Sequence, residues 1–227
     1  MSVVKIILQP AMHWAARRAW NGKNKSQRIS DGGQFTAADV SRILARGWEN
    51  YDQLAPHLPH EPTLGNRQNM ILAGITLACF QSLLVEGIER DYAVELIAKA
   101  AWQIYEKWGI LPRWIARRQT REPAEQMRTM VRLFLRYPFN PPGYRFEASS
   151  TQDGIRVAMY RCPVADYLRA QDAADLCVGS WCALDFPLAA MWGGRLERSG
   201  TLAGGASYCD FNFIANRGEG TNGIVAS

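Results

Sequence analysis

Tyr137-Pro138-Phe139-Asn140-Pro141-Pro142-Gly143 divides this chain. Its prolines and glycine stop any helix that runs into them. The spacing of apolar residues also differs on its two sides. Upstream, Pro123–Arg136 places Met127, Met130, Val131 and Phe134 on one helical face and Arg128, Arg132 and Arg136 on another. Such an arginine stripe is ordinarily a solvated face; the alternative is attraction of an anionic ligand. Before it, Asp91–Trp108 carries Ala93, Leu96, Ile97, Ala100, Ala101, Ile104 and Tyr105 at helical spacing. A helix opening at Gly65-Asn66-Arg67-Gln68-Asn69 and running to about Glu86 is apolar on almost every face, as a central buried helix should be. Gly87 between the two predicts an antiparallel pair. Thr36 is placed to cap a helix from Ala37 to about Tyr51.

Further out the pattern thins. Pro56, Pro59 and Pro62 predict an extended connection, in which His57 and His60 read as exposed loop histidines rather than a metal pair. Ala11–Trp20 supports a helical turn or more, and Asn21–Gly33 reads as loop. Downstream of the breaker, Tyr144, Phe146 and Ala148 alternate with Arg145 and Glu147. Ile155, Val157 and Met159 alternate with Arg156 and Ala158, and Asp153-Gly154 signals a hairpin between the two runs. Pro163 starts a short helix through Leu168. In a last strand, Tyr208–Ile214, Cys209, Phe211 and Phe213 share one face while Asp210 and Asn212 share the other. Ala215–Ser227 reads as a flexible tail. The fold class is therefore α+β: a helical part at about 36–137 packed on a small antiparallel sheet at about 143–214, in a single domain over 1–214.

Composition narrows the function. At 227 residues, 48% apolar and 21% charged, the chain is long enough for one substantial core. The net charge of +5 lies in the first half (16 basic against 10 acidic over 1–121), a surplus suited to a small anion and modest for nucleic acid. Eight tryptophans are not interleaved with basic runs, so nucleic-acid binding is not expected. The longest apolar run, Met70–Val85, is short for a membrane span. It would tolerate an interface between copies of the chain. Five cysteines, an odd number, with no signal-peptide pattern, point to a cytoplasmic protein with reduced thiols.

The chemistry gathers near the end of the chain. Cys162, Cys182, Asp185, Arg198 and Cys209 fit three readings. One is nucleophilic catalysis by a thiolate, with Asp185 handling protons. The second is a metal site, although gaps of 20 and 27 residues between the cysteines match no familiar ligand spacing. The third is structural packing, with Asp185 tied to Arg198. Arg67 and Asn69, in the first turn of the apolar helix, are placed where a carboxylate could be held.

Several of these stretches together resemble one family. They are Pro62-Thr-Leu-Gly65-Asn66-Arg67-Gln68-Asn69, Arg161-Cys162-Pro163, Cys182-x-x-Asp185, and Arg198-x-x-Thr201-Leu202-x-Gly204 followed by Cys209-Asp210-Phe211. Over roughly residues 50–214 the chain is similar to the L-2-amino-thiazoline-4-carboxylic acid hydrolase family. That resemblance implies ring-opening hydrolysis, without a cofactor, of a cyclic amidine-like C–N bond in a small, carboxylate-bearing heterocycle. On that reading Cys209 or Cys182 adds to the carbon between the ring heteroatoms, with Asp185 supplying the proton and Cys162 close by. Arg198, or Arg67 with Asn66 and Asn69, holds the carboxylate; Thr201, Asp210 and the Gly204-Gly205 backbone complete the substrate site.

Overall fold

The computed structural model of the chain describes residues 3–28 and 33–216. The part of the predicted loop at 29–32, and the tail beyond Asn216, lie outside the described residues. The helices are α1 (Val3–Trp20), α2 (Ala37–Leu54), α3 (Leu64–Val85), α4 (Arg90–Gln119), α5 (Pro123–Arg136), α6 (Pro163–Ala170), α7 (Ala174–Leu176) and α8 (Asp185–Met191). The strands are β1 (Arg145–Thr151), β2 (Gly154–Arg161), β3 (Gly194–Glu197) and β4 (Cys209–Ala215). They form one antiparallel sheet in the order β1-β2-β4-β3. The fold is α+β, with the long helices before the breaker and the sheet after it.

Local chemistry explains most boundaries. Thr36 accepts from the Asp39 N–H at 3.1 Å, and Asp39 accepts from the Thr36 N–H at 3.0 Å, closing a capping box at the start of α2. Thr63 caps α3 by accepting from Asn66 N–H. Leu64–Val85 and Ala174–Met191 are long and apolar enough to cross a membrane by length and composition. Here α3 is instead a largely buried central helix.

Three boundaries differ from expectation. Helix α1 extends back through Pro10 to Val3. Helix α4 passes Trp108 and takes in Pro112 and the basic stretch to Gln119. A proline inside a helix lacks the N–H that would reach the carbonyl four residues back, here Trp108 O, and crowds the preceding turn; at the neighbouring carbonyl, Trp192 Nε1 donates to Gly109 O at 3.0 Å. A Cβ at Gly109 would lie 2.2 Å from Met191 Cε and 2.7 Å from Leu188 Cδ1, so the glycine admits α8 against α4. The hairpin turn is Gln152-Asp153, one residue earlier than expected, and Gly154 already pairs with Thr151.

Two apolar clusters pack side by side, one gathering α1–α4 and α6, the other α5, α8 and strands β2–β4. Leu135, Phe139, Phe146 and Phe211 touch both. A Cβ at Gly154 would lie 2.0 Å from Phe213 O across the β2–β4 ladder. Gly154→Ala should therefore lower unfolding free energy by about 1–3 kcal/mol in urea titration. An unchanged midpoint would show that the strands are not so close.

Candidate active site

Both apolar clusters contribute to the lining of an interior cavity of about 250 Å³. Strand β2 runs into Cys162, and Pro163 begins α6 immediately after it. The Ala174–Met191 segment changes winding as it goes: α7, a π stretch at Cys177–Trp181, a 3-10 turn at Cys182–Leu184, then α8. Gly179 lets the π stretch approach α4, because a Cβ there would lie 2.3 Å from Val94 Cγ1. The wide winding aligns residues five apart, and the Cys182 thiol is near enough to raise that of Cys177. Cys182 and Asp185 are three apart in helical backbone, so their side chains lie on one side. Cys209 opens β4, and its Sγ accepts from Leu202 N–H at 3.2 Å. Cys162, Cys177, Cys182, Cys209 and Asp185 thus all line the cavity. Among the described residues every cysteine is free, and no three His, Cys, Asp or Glu side chains converge to hold a metal ion.

Asp185 is the pivot. Arg198 Nη1 donates to its Oδ2 at 3.1 Å, and Arg198 Nη2 donates to Cys182 O at 3.1 Å. The guanidinium lies over the rings of Phe186 and Phe211 at 4.9 and 5.4 Å. About a fifth of the Asp185 side-chain surface (21%) borders open space, but it also lines the cavity, which is walled mainly by apolar side chains. Burial therefore pushes the Asp185 carboxyl up to about 7, against the opposing charge and hydrogen bond of Arg198. Burial likewise pushes Cys209 up to about 11, and Cys162 higher still despite backbone hydrogen bonds from Ala165 and Val164. The neighbouring Cys182 thiol, together with burial, raises Cys177.

The structure separates the candidates read from sequence. Asn66 does not line the cavity: its Nδ2 donates to Pro138 O and Asn140 O, both at 3.1 Å, and ties the breaker loop to α3. Arg67 reaches the other way, with Nε donating to Glu61 O at 2.9 Å. Asn69 does line the cavity and donates from Nδ2 to the Tyr144 hydroxyl at 2.9 Å. Thr201 accepts from Gly204 N–H within its own turn. Asp210 accepts from Ser199 Oγ, Ser199 N–H and Gly200 N–H, which hold it at about 2 and fix the loop carrying Arg198. Two tyrosines escaped the sequence reading. Tyr105 lines the cavity, and its hydroxyl makes no hydrogen bond among the described residues. Burial, with Asp185 and Cys182 nearby, pushes its pKa well up. Tyr144 likewise lines the cavity and is pushed up by burial. For Tyr105 the available signal was a polar tip on an apolar helical stripe, which also describes ordinary core tyrosines.

A carboxyl poised near neutrality beside thiols, on a largely apolar cavity wall, is equipment for acid–base or nucleophilic chemistry. The comparisons agree with that class. A family model described as L-2-amino-thiazoline-4-carboxylic acid hydrolase matches residues 68–213, more than half of the chain, and the chain belongs to that family. Neither a curated protein nor a solved structure gave a significant match.

The raised Asp185 carboxyl has a thermodynamic signature. Its unfolded value is about 4 and its folded value about 7. Its contribution to stability is thus fully present below about pH 4 and lost as pH rises through about 7. Urea titrations should show wild type losing stability relative to Asp185→Asn between those pH values, by about 4 kcal/mol. A difference that does not change with pH would contradict the shift.

Proposed function

We propose that the protein is a hydrolase that opens a small heterocycle at the carbon between two ring heteroatoms. Cys182 is the nucleophile and Asp185 moves the proton. The observation that carries this reading is the placement of Asp185, raised to about 7, with Cys182 on the wall of one cavity. Family membership supports the hydrolytic class.

The steps follow from these groups. The Asp185 carboxylate takes the Cys182 thiol proton as sulfur adds to the C=N carbon, and the ring nitrogen takes a proton back from the neutral carboxyl. The Tyr105 hydroxyl donates to the charge that develops, the part expected from sequence of Thr201 and the Gly204-Gly205 backbone. The lone pair of a nitrogen remaining on the tetrahedral carbon then forms a C=N bond as the bond to one ring heteroatom breaks, and the leaving heteroatom takes the proton that this nitrogen releases through Asp185. Water, deprotonated at Asp185, adds to the adduct and releases the thiol. The net change is addition of one water.

A second reading keeps Asp185 and dispenses with the thiol, water being activated directly. It draws on the upward push that burial gives Cys162 and Cys209. The two separate in a mass-spectrometric assay for gain of one water across cyclic amidines, hydantoins and thiazolines. On the proposed mechanism, Cys182→Ala and Asp185→Asn each lose about 10³-fold in kcat, while Cys209→Ala stays within about 10-fold. Near-full activity in Cys182→Ala would move the mechanism to activated water. Near-full activity in Asp185→Asn would remove both. In wild type, kcat/KM should rise with pH through about 7, because the ionised carboxylate begins the cycle.

A further inference from the structure

Beyond Trp108, helix α4 carries a face that nothing else in the molecule covers. Gly109, Pro112 and Ala116 lie on its inner side and are buried, Gly109 directly against Leu188 and Met191. Ile110, Leu111 and Trp114 turn outward, at 55%, 61% and 54% exposure. Trp114 stands three and four residues after the other two, so the three share a face. None of them lines the cavity. The stretch from Lys107 to Arg121 also holds five cations and no acidic residue. Lys107, Arg117, Arg118 and Arg121 are exposed. Lys107 pairs with Glu106, but among the described residues no ion pair joins the three arginines to a carboxylate.

The pattern occurs twice. Trp114-Ile115-Ala116-Arg117-Arg118 on α4 repeats Trp14-Ala15-Ala16-Arg17-Arg18 on α1. In both copies the alanine before the arginines is buried and the tryptophan is about half exposed. The second guanidinium of each lies over the indole, at 4.8 Å in α4 and 5.9 Å in α1. Helix α1 likewise contains no acidic residue. Two of the eight tryptophans thus do stand beside arginine pairs, contrary to the sequence expectation.

The mixture of groups selects the partner. A nucleic acid would neutralise the arginines but leave the aliphatic Ile110 and Leu111 nothing to pack on. A second copy of the same face would set cations against cations. A small anion needs cations that converge, whereas these are strung along successive turns of one helix. An anionic bilayer surface meets both demands. Aliphatic side chains enter the acyl boundary, tryptophan settles at headgroup level, and arginines reach the phosphates along their apolar stems. We infer that the exposed face at the C-terminal end of α4 docks this protein, reversibly, on anionic lipid membranes.

The test is co-sedimentation with vesicles of phosphatidylglycerol and phosphatidylcholine in equal parts, and with phosphatidylcholine alone. Wild type should sediment with the anionic vesicles and stay in solution with the neutral ones. Its partition should fall by about 10-fold or more as salt rises from about 0.05 to about 0.5 M. Arg117→Glu/Arg118→Glu should lower partition by about 30-fold or more, and Leu111→Ser by about 5-fold. Thermal midpoints close to that of wild type show that both variants fold, and the salt series on wild type decides the matter if they do not. Absence of wild type from the anionic pellet overturns the assignment, as does unchanged partition in the double variant or at high salt. If wild type ignores vesicles but binds duplex DNA, or forms a dimer that Leu111→Ser dissolves, the face belongs to that partner and the lipid assignment is overturned.

Discussion

The structure turns on one ion pair set against an apolar cavity. Asp185 lines a space whose other walls are mostly aliphatic and aromatic, with Arg198 as its charged partner. Burial favours the neutral carboxyl and the guanidinium favours the ionised one; the balance falls near neutrality. That balance depends on Arg198 staying where it is. Cys182 O takes a second hydrogen bond from it, Phe186 and Phe211 flank it, and Asp210 pins the adjoining Ser199-Gly200 backbone. A residue read from sequence as a substrate contact thus positions the group that tunes the acid.

Helix packing puts the remaining chemistry in reach. Gly109 and Gly179 remove the side chains that would hold α8 and the π stretch away from α4. Asp185, Cys182 and Tyr105 consequently share one region of the cavity, near enough for the two ionisable groups to raise the Tyr105 pKa. Outside the cavity lining, Arg161 pairs with buried Glu61 at 2.8 Å and donates to Gly143 O, while Asn66 holds Pro138 O and Asn140 O. This polar knot anchors the breaker loop that brings Phe139 and Tyr144 to the cavity. Motif residues such as Asn66 and Arg161 serve the site through the backbone they hold.

Much of the architecture was legible because local chemistry and packing point the same way. The Thr36 cap, the Pro123 and Pro163 starts and the alternation of Cys209, Phe211 and Phe213 belong to that group. Helix α4 was cut short in the reading because Gly109 and Pro112 are local stop signals. At Gly109 the backbone meets Trp192, Leu188 and Met191, over 75 residues away, and no local rule contains them. Strand β3, only four residues long, has no repeat long enough to register. At the site, residue chemistry grouped Cys162, Cys182, Asp185 and Cys209, and all four line one cavity. The direction in which Arg67 and Thr201 point was not available without backbone geometry.

The central claim, that the cavity holds Asp185 at the edge of ionisation, is most directly tested by infrared difference spectroscopy of wild type against Asp185→Asn across a pH series. The account predicts a protonated-carboxyl band that disappears with a midpoint near 7. A midpoint near 4, the value of an aspartate in water, would contradict it.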